Sequence, residues 1–466
     1  MFLFPLAYLI SFFYGLNKLF KKQIEGLLAY IIVGLPIYIN AMSVSFMYGF
    51  AAWIPVMQSM KEVIVLVSSY LVFTHARMYR KINFHYIDIL IALFFVYTLS
   101  FVFLPVGSYS FLNKVLALKN LSFFPFLYFI GRFCHYQSIN INKVFTFIVV
   151  VIIIAGCIVL VERFNYQHLQ TYTGYSNFNA KFFDTEISGS YGLTWTFEAE
   201  SGLKRFASIF ANPLDFSAST VVALSILLAL ITYKTKMFTI APSSFETIGL
   251  LASFICILFA ASRASFVSYF AVIYFYAWFI KRNKILFYFH LLVVITIIVF
   301  LYFLEGDLYN YVINTISFEN TSSLGHLIEW VDGIDAMIAK PLGMGLGESG
   351  RVSVALKENV GGENQLIIIG VQTGVLGLLL YLTITISIIR EGVKNLSIAA
   401  AQHWKVILAV VLFKIGLIIP LFTAEIDSYI YVSYITWFLT GYMINLIQST
   451  KEQVNIVTST NPIITA

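Results

Sequence analysis

From Val144 to Val161 the chain reads VFTFIVVVIIIAGCIVLV, without a single charged side chain. A run of about 20 apolar residues has the length of an α-helix crossing a hydrocarbon layer about 30 Å thick. In lipid no water satisfies backbone N–H and C=O groups, so only helices and closed barrels cross it. A barrel would show short alternating strands instead. Comparable runs lie at roughly 2–17, 24–42, 51–73, 86–104, 113–132, 144–163, 212–233, 245–262, 264–280, 285–304, 364–389, 404–422 and 428–447. Composition agrees: 59% of residues are hydrophobic and 11% charged, against about a quarter charged in a soluble domain. The expected fold is therefore all-α, a single polytopic membrane domain over 1–466 with about 12–14 transmembrane helices. The N-terminal MFLFPLAYLISFFYG lacks the basic start and small-residue cleavage site of a signal peptide, so it reads as a retained first helix. Cys134, Cys157 and Cys256 are scattered, with no metal-ligand or disulfide spacing. No metal, cofactor or nucleic-acid partner is expected; the lipid bilayer is.

The cations orient the chain. Seventeen of the 29 Lys and Arg residues fall on one side of these spans and eight on the other. Lys61, Lys114, Lys119 and Lys414 fall within spans. The rich side is cytoplasmic by the positive-inside rule, which puts the N-terminus outside and the C-terminus inside. Two long polar stretches, 164–211 and 305–363, then both lie outside. Within the second, GHLIEWVDGIDAMIAK (325–340) places Leu327, Ile328, Val331, Ile334, Met337 and Ile338 on one helical face, with Glu329, Asp332 and Asp335 off it. That pattern suits a helix against the membrane surface, ended by Pro341. The LGMGLGESG that follows has no strand before it and no Lys-Ser/Thr ending, so it reads as a flexible turn and not as a phosphate cradle.

The charges that invite chemistry all fall on the outer face. RFASIFANPLDFSAS (205–219) begins with Arg205 and enters a helix through Asn212-Pro213, a cap and a first-turn residue. LFAASRASF puts Arg263 in a break between two spans, and Arg351 follows the glycine turn. GGENQLIIIG sets Glu363 and Asn364 at the mouth of an apolar helix. For Arg263, snorkelling to the interface weighs as much as a functional role. Arg205 and Arg351 lean towards solvated loop positions when taken singly. Glu363 and Asn364 suit helix capping as well as they suit catalysis. His326 reads as structural, and Lys340 and Lys119 as secondary candidates. Lysines within spans invite a functional reading because charge is costly there. The set says more than its members. Guanidinium groups grip phosphate oxygens bidentately, and a carboxylate takes a proton from a hydroxyl. Together they suit an anionic lipid-diphosphate donor and a hydroxyl acceptor.

In this order, RFASIFANPLDFSAS, LFAASRASF, GHLIEWVDGIDAMIAKPLGMGLGESG and ENQLIIIGVQTGVLGLLLY resemble the superfamily of O-antigen ligases and Wzy-type polysaccharide polymerases. The resemblance covers about 200–385. It implies a metal-independent glycosyltransferase of GT-C-type architecture at the outer face of the bacterial cytoplasmic membrane. The substrates it implies are undecaprenyl-diphosphate-linked glycans, used in O-antigen, lipopolysaccharide, capsule or exopolysaccharide synthesis. It also implies partner proteins that set chain length and flip the substrate. Arg205, Arg263 and Arg351 fall where such proteins place basic residues near the diphosphate, and Glu363 falls at the position of the base, with Asn364 beside it. Ligases usually carry a histidine there, so Glu363 favours a polymerase. Inversion at the anomeric carbon follows from one direct attack. Tyr172, Tyr175, Tyr191 and Trp195 are candidates to stack on sugars, each weighed against an aromatic interface belt. A ligase passing glycan to lipid A-core, a glycan flippase using the in-span lysines and a non-catalytic scaffold are the alternatives.

Overall fold

The computed structural model describes residues 1–79, 83–135, 139–183, 189–199, 202–234, 238–302, 313–314, 317, 319, 321–355, 360–397 and 403–460. Arg80, Lys81, Lys236 and Lys357, and most of 303–320 in the second long loop, lie outside these residues. In the first half the helices are α1 (Leu3–Phe20), α2 (Glu25–Gly34), α3 (Tyr38–Met47), α4 (Ile54–Tyr79), α5 (Tyr86–Phe103), α6 (Phe111–Ser122), α7 (Phe124–Phe133), α8 (Ile141–Asn165), α9 (Leu169–Tyr172) and α10 (Tyr175–Phe183). Then come α11 (Pro213–Leu230), the hairpin β1 (Thr232–Lys234) and β2 (Phe238–Ile240), α12 (Ser244–Ala260), α13 (Arg263–Phe279) and α14 (Asn283–Tyr302). The last group is α15 (Thr321–Ala339), α16 (Arg351–Ala355), α17 (Gln365–Leu396), α18 (Trp404–Gly416), α19 (Ile418–Leu421) and α20 (Ile430–Thr460). Among the described residues seven helices are long and apolar enough to cross a membrane, and the pair α2–α3, bent by 61°, passes the same test as a broken span or a re-entrant loop. The chain is an all-α, multi-pass membrane protein.

Several runs that look continuous in sequence are broken. The 24–42 run bends at Leu35–Ile37, where Pro36 removes a backbone donor. The 113–132 run divides at Phe123 into α6 and α7, with Pro125 inside the first turn of α7. The 404–422 run divides at Leu417. Hydropathy counts apolar side chains and does not register where the axis turns.

The centre of the molecule is α11 and the 430–450 part of α20, almost fully buried against their neighbours. Close approach is bought with small residues: Gly131 of α7 packs on the Phe438 carbonyl of α20, and Gly441 of α20 on the Tyr128 carbonyl of α7. The lysines within spans each find local partners. Lys61 Nζ donates to Tyr38 Oη at 3.0 Å and the Gln58 carbonyl at 2.7 Å, and pairs with Glu62 at 3.2 Å. Lys119 of α6 pairs with the same Glu62 oxygen at 3.1 Å. Lys114 donates to the Leu104 carbonyl at 3.0 Å. Lys414 Nζ stands 3.5 Å from the Trp437 ring centroid.

Candidate functional site

Asn364 settles what starts α17. Its side-chain oxygen accepts from the backbone N–H groups of Leu366 at 3.0 Å and Ile367 at 3.3 Å, and the residue is 3% exposed. It is the N-cap, satisfying two donors that the helix leaves without intrahelical partners. Glu363 is therefore not needed as the cap. Its side chain reaches solvent, yet its carboxyl is crowded by surrounding protein. That crowding raises its pKa above the ordinary carboxylate range, opposed by His326 and Arg351 and reinforced by Glu329. A group that is both reachable and crowded lines a cleft.

The glycine-rich segment that leads to Arg351 is a series of turns docked on α17, not a free turn. Gly374 of α17 has φ +73°, which breaks the helical ladder. The groups freed by the break bind the loop: Met344 N–H donates to the Val371 carbonyl at 2.7 Å, Gly345 N–H to the Gln372 carbonyl at 3.1 Å, and Val375 N–H to the Pro341 carbonyl at 3.0 Å. Tyr97 Oη takes the remaining Thr373 carbonyl at 2.7 Å. A Cβ at Gly343, itself at φ +97°, would lie 2.7 Å from the Gln372 carbonyl oxygen, so no side chain fits there. The Gln372 amide then clamps the next stretch, accepting from Gly347 N–H at 2.9 Å and donating to the Ser349 carbonyl at 2.9 Å. Glu348 reaches across to the α5–α6 connection, accepting from Ser108 N–H at 2.7 Å.

Arg351 opens α16 beside three carboxylates. Its backbone N–H donates to Glu425 Oε2 at 3.3 Å, and its guanidinium carbon is 5.5 Å from the centroid of the Tyr429 ring. Asp215, Glu363 and Glu425 all feel its charge. Burial pushes the Glu425 carboxyl up to about 7, against the opposing pull of Arg351. Asn120, Ser349, Arg351, Val352, Gln372 and Glu425 line one narrow crevice.

Backbone and hydroxyl ties fix where Arg205 and Arg263 enter the bundle. Phe206 N–H donates to the Phe259 carbonyl at 3.0 Å, fixing the stretch after Arg205 to the end of α12. Ser217 of α11 donates to Ser265 of α13 at 2.9 Å, so Asp215 and Arg263, each two residues earlier, enter at the same level. The 205–212 segment is held from behind. Glu162 accepts from Ser208 N–H at 3.0 Å and Leu169 N–H at 2.7 Å, and Gln170 donates to the Ser208 and Phe210 carbonyls. His168 Nε2 lies 3.1 Å from the Arg205 carbonyl, and burial with Lys204 nearby lowers its pKa to about 4.

The remaining candidates separate. His326 stands 3.6 Å from Glu329, and its charge is felt by Glu363, so it belongs to the cleft. Lys340 is exposed beyond the other end of α15, about 21 Å along the axis from His326 at 1.5 Å per residue. Lys119 is turned to Glu62, while its neighbour Asn120 faces Arg351. Among the loop aromatics, Tyr175 is buried against Phe197, and Tyr191 lies under Lys204 at 4.3 Å. Trp195 and Tyr172 remain exposed. The amphipathic α15 buries Gly333 and Met337 against α17 and leaves Ile328, Val331, Ile334 and Ile338 outward, Ile338 being 72% exposed. Sequence reading overlooked Asp215 and Glu425. Asp215 sits in the first turn of α11, where an acid looks like ordinary dipole complementation. Glu425 lies in a short link between two apolar runs, with nothing local to join it to Arg351.

Residues 248–382 match the family model described as O-antigen ligase. The match contains Arg263, His326, Lys340, Arg351, Glu363 and Asn364, and excludes Arg205, Asp215 and Glu425. No curated protein matches the chain.

Proposed function

We propose that this chain, which carries an O-antigen ligase-type domain over residues 248–382, is a polysaccharide polymerase. It joins undecaprenyl-diphosphate-linked repeat units at the outer face of the cytoplasmic membrane. The observation that carries this reading is the division of labour at the mouth of α17: Asn364 caps the helix, which leaves Glu363 facing Arg351. In this reading Arg351, together with Arg263 and Arg205, binds the donor diphosphate and stabilises the charge that builds on it as it leaves. The acceptor hydroxyl loses its proton to Glu363, its oxygen bonds to the anomeric carbon, and the bond from that carbon to the diphosphate oxygen breaks, with inversion. The diphosphate is a good leaving group as it stands, so no general acid or metal is required. Raising the Glu363 pKa strengthens it as a base. Glu425 holds the Arg351 backbone N–H, and Asp215 lies within reach of the Arg351 charge.

A ligase transferring finished glycan to lipid A-core is the second reading, favoured by the description of the matched family. A carboxylate in place of the ligase histidine speaks for polymerisation. The flippase reading loses its footing because each in-span lysine is satisfied locally. Partner proteins that set chain length and supply flipped substrate accompany the polymerase reading. The test is a surface-glycan ladder in a deletion strain. Glycan of one repeat unit, extended again by wild type and not by Glu363→Gln, supports the proposal. Long lipid-linked chains that fail to reach the lipid A-core point to ligation. A full ladder with Glu363→Gln overturns both mechanisms.

A further inference from the structure

Away from the Glu363 cleft, α13, α17, α18 and α19 leave a groove of about 590 Å³ between them. Phe275, Trp278, Phe279, Ile389, Ile415 and Ile418 wall it, and Arg390 and Lys394 line it as well. Its depth follows from contacts already fixed along the bundle. Helices α11 and α13 run parallel, tied near their starts by Ser217–Ser265 and near their ends by Thr232–Tyr276 at 2.6 Å. Gly416 packs on Val221 and Val272, so Ile415 and Ile418 lie near the middle of both helices. Trp278 and Phe279 belong to the last turns of α13, just before Lys281 and Arg282. The groove thus runs from mid-bundle to the Lys/Arg-rich end. Val272 to Phe279 covers about 10 Å of helix at 1.5 Å per residue, about two thirds of the roughly 15 Å that one leaflet contributes to a 30 Å core.

Its charge is one-sided. Arg390 and Lys394 are exposed, one turn apart on α17. Among the described residues no acid lines the groove. The neighbouring Glu391 is buried and turned to His85 at 3.7 Å and Asn395 at 2.9 Å. Trp278, 57% exposed, supplies the amphipathic ring that settles at a lipid–water interface. Apolar walls about two thirds of a leaflet deep beside two exposed cations match a lipid with an anionic head.

We propose that this groove is a binding site for an anionic glycerophospholipid, its acyl chain against Phe275, Phe279, Ile415 and Ile418 and its phosphate on Arg390 and Lys394. The site stands apart from the Glu363 cleft and does not depend on what that cleft does.

The test presents the detergent-solubilised full chain with equal phosphatidylglycerol and phosphatidylcholine and reads retained lipid by native mass spectrometry. A cation at an anionic surface is worth about fivefold in affinity, so two give about thirtyfold. The expected result is phosphatidylglycerol retained in that excess, falling to parity in Arg390→Gln/Lys394→Gln. Ile415→Trp, which fills the groove, should reduce retention of both lipids. Because the two cations are exposed, the double variant should melt with wild type in phosphatidylcholine. Equal retention of the two lipids by wild type, which requires no variant, overturns the proposal, as does undiminished phosphatidylglycerol preference in the double variant. Displacement of the phospholipid by a polyprenyl monophosphate at equal concentration also overturns it, and would assign the groove to carrier lipid.

Discussion

Gln372→Leu isolates the clamp on the glycine-rich segment. Gln372 is 3% exposed, and its amide makes two bonds of 2.9 Å, to Gly347 N–H and the Ser349 carbonyl. Leucine keeps the approximate volume and removes both partners. Gly347 and Ser349 are themselves buried, so a donor and an acceptor are left unsatisfied. Each such group costs about 1–3 kcal/mol, which gives about 2–6 kcal/mol against docking of the 341–350 segment. The backbone bonds from Met344, Gly345 and Val375 remain, so the helices stay folded. Amide hydrogen exchange across 345–350 should therefore accelerate by about 30- to 20,000-fold, with little change elsewhere. Arg351 follows Ser349 by two residues, so polymer output should fall at least about tenfold. Gln372→Glu is the control: it still accepts from Gly347 but sets a carboxylate oxygen against the Ser349 carbonyl, and it should also loosen the segment. Unchanged exchange at 345–350 in Gln372→Leu would refute the clamp, whatever the ladder showed.

Asn364→Ala should lower stability by about 1 kcal/mol through loss of the cap while keeping a measurable ladder, whereas Glu363→Gln should leave thermal unfolding nearly unchanged and abolish the ladder; the reverse pattern would exchange their roles. Glu425, with a carboxyl raised to about 7 from an ordinary 4.5, binds its proton more tightly folded than unfolded. Its contribution is complete below about pH 4.5 and is lost as pH rises through 7, at most about 3 kcal/mol; Glu425→Gln should flatten that window in thermal unfolding. Gly374→Ala forces a Cβ onto a residue at φ +73° that faces the Pro341 carbonyl, and should cost at least about 1–3 kcal/mol, read as a lower melting temperature and a loosened 341–350 segment.

The helical, membrane-spanning character of the chain could be read from apolar run length, and the starts of α11 and α17 from Asn212-Pro213 and Asn364, because caps are local chemistry. The break at Gly374 could not. QTGVLG continues the apolar helical pattern on both sides, and the bonds that compensate the break come from residues 341–345, in a segment that sequence reads as a flexible turn. The cleft was half legible. Arg351 and Glu363 stand out as polar residues beside an apolar run. Glu425 lies 74 positions from Arg351 and meets it only through folding. The same holds for Lys119 and Glu62, 57 positions apart. A burial pattern can say that a lysine needs a partner but not which acid supplies it.

The Lys61–Glu62–Lys119 cluster is completed in two stages as the chain is made. Lys61 and Glu62 are consecutive on α4 and 3.2 Å apart, so that segment leaves the ribosome and meets the membrane as a self-neutralised pair. Lys119 reaches the same carboxylate oxygen only when α6 has been synthesised, 57 residues later. Until then the carboxylate is held by one ammonium, and α6 must carry a lone cation to it. The earlier helix therefore serves as the receptor for the later one. A charge-silencing change at Glu62 removes the carboxylate from two lysines at once, leaving Lys61 with Tyr38 and the Gln58 carbonyl, and its damage falls on assembly before any substrate arrives.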